Sequence, residues 1–246
     1  MVIQKTNFSI LKIKQFWFSE HPPFNLVREY IQSKFSGRHI GFKQSSHYTK
    51  LIDLSEEINA IEKGISKTTK YKIRRAIREG VVFQIENSVS CIVSFYNEFA
   101  KSNAQLSAYK EIFIANNKDH LVVTKAVQEE ETVAMHGYIV DKEVGRVRLL
   151  FSATKSRLNN SNAMNANIGR ANRFLHFKDM LYFKEKGFSV YDFGGYAKGT
   201  TDRTLLGINT FKDTFGGVLV EEFNYTPFWM FGLRQLKQVV LKMVKH

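Results

Sequence analysis

Two pairs of adjacent glycines towards the end of the chain constrain its fold more than any other feature. The first pair lies in residues 191–196, Tyr-Asp-Phe-Gly-Gly-Tyr, and the second ends residues 207–217. Each segment has the pattern of a short strand that runs into its glycines, where the missing Cβ lets another backbone or a ligand approach closely. Because Asp192 precedes one pair and Lys212 the other, we expect a site where these strands open into loops.

A basic stripe lies upstream, on a helix that the sequence predicts over residues 67–79 and that Gly80 ends. Its cations recur at three- and four-residue spacing, which places them on one face: they are Lys67, Lys70, Arg74 and Arg78. Ile73, Ala76 and Ile77 are expected to pack inward. Like charges at this spacing repel, so the stripe indicates a phosphate or carboxylate ligand, or else a face that solvent covers.

The remaining hydrophobic periodicity predicts an α+β fold. Strands are predicted at 48–54, 81–85, 121–127, 133–140, 144–153, 189–193 and 218–224. Further helices are predicted at 24–35, from 55 through 61, at 89–101 and from about 168 to 186. A three-stranded meander followed by a helix, a strand, a helix and a strand is the order typical of an α+β acyltransferase.

In this order, three blocks of the sequence resemble the C-terminal half of the Fem-type peptidoglycan-bridge aminoacyltransferases and their relatives with a GNAT (N-acetyltransferase-like) fold. The first block joins a strand at 51–55 to the basic helix at 66–80, the second is 171–177 with 186–188, and the third is the paired-glycine region. Together they cover roughly residues 48–225. The resemblance implies a GNAT-like, mixed and largely antiparallel sheet flanked by helices.

The same resemblance divides the chain into three parts. Residues 48–226 form the transferase domain, and residues 1–47 are a short N-terminal segment that packs on its core. Residues 227–246 are a basic amphipathic helix. This helix either lies on an anionic membrane or packs against the domain or a second subunit.

Transfer of an acyl group to an amine needs a base for the amine and a polarised carbonyl. Asp192 resembles the acidic strand-end position of the family; the alternative is a carboxylate that accepts backbone N–H bonds from the paired-glycine turn. His136 is a second candidate base, although an isolated histidine in a strand is often structural. Tyr191 and Tyr196 are candidate proton donors to the leaving group, with packing as the alternative. The catalytic candidates are therefore Asp192, His136 and Tyr196.

Binding residues are predicted in two places. By the resemblance, Lys212 faces the substrate channel and meets anionic groups with Arg203 beside it, whereas an exposed lysine on a strand edge is the alternative. Residues 167–171 partly match the GNAT loop whose amides cradle the pyrophosphate of coenzyme A, but Ala166 departs from it. The donor-binding candidates in this loop are Gly169, Arg170 and Ala171. No metal and no tightly bound cofactor are expected.

The charge of the chain predicts an anionic partner. Its 36 Lys and Arg residues outnumber 23 Asp and Glu residues, a formal net charge of +13, which solubility alone would also explain. The partners that fit are an acyl donor (aminoacyl-tRNA, acyl-CoA or an acidic acyl carrier protein), an envelope-precursor acceptor and an anionic membrane surface. Cys91, in an apolar context, is expected to be buried, and no signal-peptide core is evident. We therefore expect a cytoplasmic protein, with peripheral contact at the inner face of the membrane.

These observations favour an acyl- or aminoacyltransferase that moves an acyl group onto an amine of a cell-envelope precursor, in peptidoglycan or a surface polysaccharide. Two alternatives stay open. One is an N-acyltransferase that uses acyl-CoA or an acyl carrier protein to modify a small amine. The other is a non-catalytic nucleic-acid or membrane-binding protein with the same fold, whose binding would be sensitive to salt.

Overall fold

The computed structural model describes residues 2–7, 11–101, 108–155 and 161–243. The chain forms two compact units. The central unit is the continuous stretch Thr49–Leu219, and the terminal unit combines residues up to Tyr48 with those from Val220 onward. The domain boundaries that the sequence predicted, at residues 48 and 226, remain a prediction.

The described elements are given in chain order. The strands are β1 (Val2–Asn7), β2 (Leu11–Trp17), β3 (Arg28–Ser33), β4 (Phe42–Asp53), β5 (Val82–Ile85), β6 (Leu121–Gln128), β7 (Glu131–Asp141), β8 (Arg146–Thr154), β9 (Val190–Gly195) and β10 (Val218–Pro227). The α-helices are α1 (Ile58–Gly64), α2 (Lys67–Arg78), α3 (Val89–Lys101), α4 (Glu111–Asn116), α5 (Asn162–Glu185), α6 (Arg203–Asp213) and α7 (Phe228–Met243). The boundaries between the two units fall within β4 and β10.

The sheet of the central unit is mixed and largely antiparallel, in the order β4-β9-β8-β7-β6-β5. Strands β5 to β8 are antiparallel neighbours, β8 and β9 are parallel, and β9 is antiparallel to β4. The predicted meander at β6, β7 and β8 is therefore confirmed, and so is the α+β fold class with helices beside the sheet.

Two hydrophobic cores lie on opposite sides of this sheet. Helices α2 and α5 pack together on one side, with Ile73 and Phe174 in the core. Helices α3 and α4 lie on the other side, with Ile92 in the second core. Neighbouring β7 residues Ala134 and Met135 belong to different cores because side chains alternate across a strand.

The terminal unit contains its own strand pairs. Strand β1 is antiparallel to β2, β2 is parallel to β3, and β3 is antiparallel to β10. Residues 28–33 form a strand where the sequence predicted a helix over 24–35, because this segment pairs with β2 along one edge and with β10 along the other. Helix α7 confirms a helix after Pro227, although side chains beyond residue 236 lie outside the described part of the chain. In the parts of the chain that the structure describes, every helix is too short or too polar to span a bilayer.

Three smaller expectations are wrong. Residues 207–213 belong to helix α6 and not to a strand, because the Asp202 carboxylate accepts hydrogen bonds from the amides of Thr204 and Leu205 and caps a helix there. Ile77 is 50% exposed, since α2 turns Ile73 and Ala76 inward instead. Cys91 is exposed on α3, where Ile92 faces the core.

Candidate active site

A cavity of about 500 Å³ lies in the central unit where β8 and β9 separate. The two parallel strands are paired only from Arg146 opposite Val190 to Arg148 opposite Asp192. The residues that follow on each strand, 149–152 and 193–195, line the cavity together with one side of α6. This volume is within the range of small-molecule sites, and we call it the fork cavity.

A second cavity of about 430 Å³ lies next to the first, since Asn172, Gly207 and Phe211 line both. Its walls come from α2 and α5, and we call it the basic groove. The cationic side chains that line it are Lys72, Arg75, Arg170 and Arg173. A positively charged groove therefore lies beside the fork cavity.

One carboxylate holds part of the groove in place. Glu79 accepts hydrogen bonds from Arg170 at 2.7 and 2.8 Å and from Arg75 at 2.8 Å. Burial alone would raise the pKa of Glu79, but the two guanidinium groups outweigh burial and lower it. Arg170 and Arg75 are thus fixed by an ionised carboxylate.

The predicted basic stripe of α2 is not the face that lines the groove. Lys67 and Arg74 are exposed and Lys70 is half-buried, and none of them is a groove residue. The buried residues Thr69, Ile73 and Ala76 set the rotation of the helix, and this rotation directs Lys72 and Arg75 into the groove.

The predicted pyrophosphate cradle does not form at Gly169–Ala171, because α5 begins at Asn162, where the Ser161 hydroxyl accepts a hydrogen bond from Met164 N at 3.2 Å. The amides of residues 169–171 are inside the helix and are used by its own hydrogen bonds. Gly169 and Arg170 still line the groove by their outer surface, whereas Ala171 is buried in the core.

Lys212 lines the fork cavity, as the resemblance implied, but it projects from helix α6 and not from a strand. Its Nζ donates to the carbonyl oxygens of Gly194, at 3.3 Å, and Gly195. Burial lowers the pKa of Lys212 to about 8, against the opposing charge of Asp192. Arg203, at the start of the same helix, is exposed and does not line the cavity.

Asp192 lies beneath the cavity and does not line it. Its Oδ2 accepts from Arg146 Nη2 at 2.5 Å, and its Oδ1 accepts from Gly194 N at 2.7 Å and from the Thr49 hydroxyl. Burial would raise the pKa of Asp192, but Arg146 and Arg148 outweigh it and the pKa is lowered. This geometry favours the structural alternative: the carboxylate holds the Gly194 turn, where φ is +71° and an added Cβ would lie 2.9 Å from Leu149 O.

The other two catalytic candidates also lie outside the cavity lining. The Tyr196 hydroxyl donates to Asp213 Oδ2 at 3.0 Å, and Lys50 binds the same carboxylate. His136 is fully buried, with Nδ1 2.7 Å from Asp179 Oδ2 and Nε2 2.8 Å from Asn172 Oδ1. Since Asn172 lines both the cavity and the groove, His136 reaches the site only through another residue.

His176 is the histidine that lines the fork cavity, and the sequence reasoning missed it. Its Nδ1 lies 2.8 Å from the Tyr191 hydroxyl, and its ring centroid lies 4.0 Å from that of His136. Burial and then the charges of His136, Lys212 and Arg173 lower its pKa well below the ordinary value. The spacing of Asn172, His176 and Asp179, which share one face of a helix, is the signal that could have identified it.

A chain of buried hydrogen bonds connects this histidine to a carboxylate. The Tyr191 hydroxyl lies 2.7 Å from the Tyr138 hydroxyl, which donates to Asp179 Oδ2 at 2.5 Å. We call His176, Tyr191, Tyr138 and Asp179 the buried relay; all four side chains are almost completely inaccessible to solvent.

One cluster of potential metal ligands occurs in the described part of the chain. It consists of His136, His176 and Asp179, whose donor atoms all lie within 4.8 Å of one another. The 2.7 Å between His136 Nδ1 and Asp179 Oδ2 is a hydrogen-bond distance. Two ligands of a tetrahedral zinc ion lie about 3.3 Å apart, given bonds of about 2.0–2.1 Å. The arrangement therefore fits a hydrogen-bond network better than a metal site.

Solved structures share this fold. FemX has a TM-score of 0.60 at 11% identity, over 78% of this chain and 64% of that chain. L-PGS from Bacillus licheniformis has a TM-score of 0.55 at 14% identity, over 85% and 73%. The C-terminal domain (DUF2156) of a putative lysylphosphatidylglycerol synthetase from Agrobacterium fabrum has a TM-score of 0.52 at 13% identity, over 80% and 67%. These similarities confirm the predicted Fem-like fold, and the chain spans about 64% of the FemX structure.

A scan of known protein families and a search of curated proteins produced no match.

Proposed function

We propose that this chain is a transferase that moves an aminoacyl group from an anionic donor onto an amine of a cell-envelope component. The observation that carries the proposal is that the basic groove adjoins the fork cavity, with Asn172, Gly207 and Phe211 lining both. The groove offers four cationic side chains for the phosphates of the donor. The fork cavity offers mainly apolar walls, with Lys212 and His176, for the reacting end.

The chemistry of such a transfer matches these groups. A C–N bond forms at the carbonyl carbon, and the C–O bond to the donor breaks after a tetrahedral oxyanion. A buried ammonium such as that of Lys212 stabilises negative charge more strongly than an exposed one, because water screens it less. The amine must attack in its neutral form, which requires a base at the cavity.

The choice of aminoacyl-tRNA as donor is supported by basic residues that extend beyond the groove. Lys67, Arg74 and Arg78 are exposed along α2, outside the cavity lined by Lys72 and Arg75. A nucleic acid is long enough to contact both sets, whereas a single nucleotide donor fills the groove alone. The acceptor class follows the Fem-type resemblance and the names of similar structures, one of which describes the synthesis of lysylphosphatidylglycerol.

Ligand-induced stabilisation and a transfer assay test this function together. The thermal midpoint is measured with aminoacyl-tRNA, uncharged tRNA, coenzyme A and acetyl-CoA at low and moderate salt, followed by transfer of a labelled aminoacyl group to lipid-linked envelope precursors. We expect saturable stabilisation by tRNA that competitor RNA does not remove, and labelled product. Stabilisation and transfer with acetyl-CoA alone would instead support the N-acyltransferase, and the absence of transfer from every donor would overturn the proposal.

Reversal of charge in the groove should weaken donor binding. We expect Lys72→Glu to reduce tRNA affinity by about tenfold or more, since one charge-assisted contact contributes about 1.5–3 kcal/mol. The slope of log affinity against log salt should fall by about 1. Lys142→Glu, in the exposed β7–β8 hairpin, is the control with the same change in net charge. Equal losses for both variants would show that the groove has no specific role.

A further inference from the structure

We infer that His176 Nε2 is the general base that removes the proton from the attacking amine, and that the buried relay carries this proton to Asp179. The inference rests on the proposed function, because it assigns a role within that reaction. Of the four side chains in the relay, Tyr191 belongs to the paired-glycine segment, and the other three belong neither to that segment nor to the basic stripe.

The direction of the hydrogen bonds determines which nitrogen of His176 is basic. The Tyr138 hydroxyl donates its single proton to Asp179 Oδ2. Tyr138 oxygen therefore accepts from the Tyr191 hydroxyl, 2.7 Å away. Tyr191 oxygen then accepts from His176 Nδ1, 2.8 Å away. His176 is thus fixed as the Nδ1–H tautomer, and the lone pair of Nε2 is left for a group in the fork cavity.

The surroundings keep His176 and the two tyrosines in the protonation states that the relay requires. The charged groups around His176 come from every packed element: Arg173 and Asp179 on α5, Lys212 on α6, His136 on β7, Arg148 on β8 and the Tyr191 hydroxyl on β9. Burial, His136, Lys212 and Arg173 lower the pKa of His176, so its imidazole is neutral near neutral pH. Burial, and then the charge of Asp179, raises the pKa of Tyr138 and of Tyr191, so both hydroxyls keep their protons.

The proposed step balances without another reactant. Nε2 takes one proton from the neutral amine as the amine nitrogen bonds to the carbonyl carbon, so that the nitrogen carries no charge after the bond has formed. The Nδ1 proton moves to Tyr191, the Tyr191 proton to Tyr138 and the Tyr138 proton to Asp179, which leaves a neutral imidazole and a neutral carboxylic acid. When the C–O bond to the donor breaks, the shifts reverse and Nε2 gives the proton to the leaving oxygen.

The relay explains why no imidazolium has to persist in this cavity. A cation on His176 would lie among Lys212, Arg148 and Arg173, where like charges disfavour it. When the relay protons shift towards Asp179, the imidazole loses its Nδ1 proton and becomes neutral again. His136 acts as a positioning residue, because its Nδ1 lies 2.7 Å from Asp179 Oδ2 and its Nε2 lies 2.8 Å from Asn172.

Single-turnover transfer by folded variants tests the base. We expect His176→Gln to slow the chemical step by about 100-fold or more, the range for general base catalysis, with tRNA affinity unchanged. Tyr191→Phe keeps the aromatic ring but removes the hydroxyl, which breaks the relay and should slow the chemical step. When the rate is measured in mixtures of H2O and D2O, the wild-type protein should show a curved dependence on the deuterium fraction, because several protons move together. Tyr191→Phe should show a linear dependence. Tyr182→Phe, a half-buried tyrosine of α5 that packs on Phe83 outside the relay, is the matched control.

The wild-type protein provides a test that does not depend on folding of the variants. Nitrogen NMR of labelled histidine should show His176 as a neutral Nδ1–H tautomer near neutral pH, and an Nε2–H tautomer would overturn the inference. If the wild-type protein transfers the aminoacyl group and His176→Gln does so at the same rate, the inference alone fails. If the wild-type protein transfers from no donor, the proposed function fails and the base role with it.

Discussion

Replacement of Lys212 by methionine is expected to make the protein more stable and to abolish transfer. Burial lowers the pKa of Lys212 from 10.5 to about 8, so the folded protein binds this proton less tightly than the unfolded chain does. At about 1.4 kcal/mol for each pH unit, the charged lysine destabilises the fold by about 3 kcal/mol near neutral pH. Loss of the hydrogen bonds to Gly194 and Gly195 offsets part of this. We expect a net gain of about 1–2 kcal/mol in the free energy of unfolding.

The pH dependence of unfolding separates this cause from others. Between pH 8 and 10.5, the unfolded chain holds the Lys212 proton and the folded protein does not. Stability of the wild-type protein should therefore rise with pH through this window, and the rise should be smaller in Lys212→Met. Transfer by the wild-type protein should fall above about pH 8, where the Lys212 ammonium is lost.

Urea unfolding near pH 8 and near pH 10.5 measures the change in stability, with the exposed Lys142→Met as control. A destabilised Lys212→Met variant would contradict it.

Replacement of Asp192 by alanine is expected to destabilise the protein by about 3–5 kcal/mol, because it removes the carboxylate that forms an ion pair with the buried guanidinium of Arg146. The pKa of Asp192 is lowered in the folded protein, so its contribution is present above the unfolded pKa of about 3.8 and is lost as pH falls below it. The difference between the wild type and Asp192→Ala should therefore shrink in acid.

Urea unfolding of a double variant tests whether loss of the ion pair causes the destabilisation in Asp192→Ala. Asp192→Leu with Arg146→Met removes both charges, and this double variant should be more stable than Asp192→Ala. A variant at Asp192 that keeps wild-type stability but loses transfer would instead restore the role of catalytic base that the sequence suggested.

Much of the fold could be predicted because its signals are local. Alternating apolar residues marked β6, β7 and β8, and Gly80 marked the end of α2. The errors arose where a cap decides the outcome. The Asp202 carboxylate starts α6 in a segment with the apolar pattern of a strand, and Ser161 starts α5 earlier than its apolar periodicity suggests.

The site was less predictable because the register of strand pairing brings together residues that are far apart in the sequence. Val147 pairs with Tyr191, and this pairing places the Tyr191 hydroxyl between β7 and α5, where it meets Tyr138 and His176. No spacing in the sequence encodes such a contact across 53 residues. The resemblance directed attention to Lys212, which lines the cavity, whereas its catalytic role stays a prediction.

The terminal unit is built from both ends of the chain, and this determines the order in which its strands can pair during synthesis. Strand β3 pairs with β10 through Ser33 opposite Phe223 and Tyr30 opposite Tyr225. Ribosomes add residues in sequence, so β3 must wait for β10 while the whole of Thr49–Leu219 emerges and folds. During that interval one edge of β3 is an unpaired template for other nascent chains. Slow translation through the central unit should therefore increase aggregation, and a chaperone that covers extended strands should relieve it.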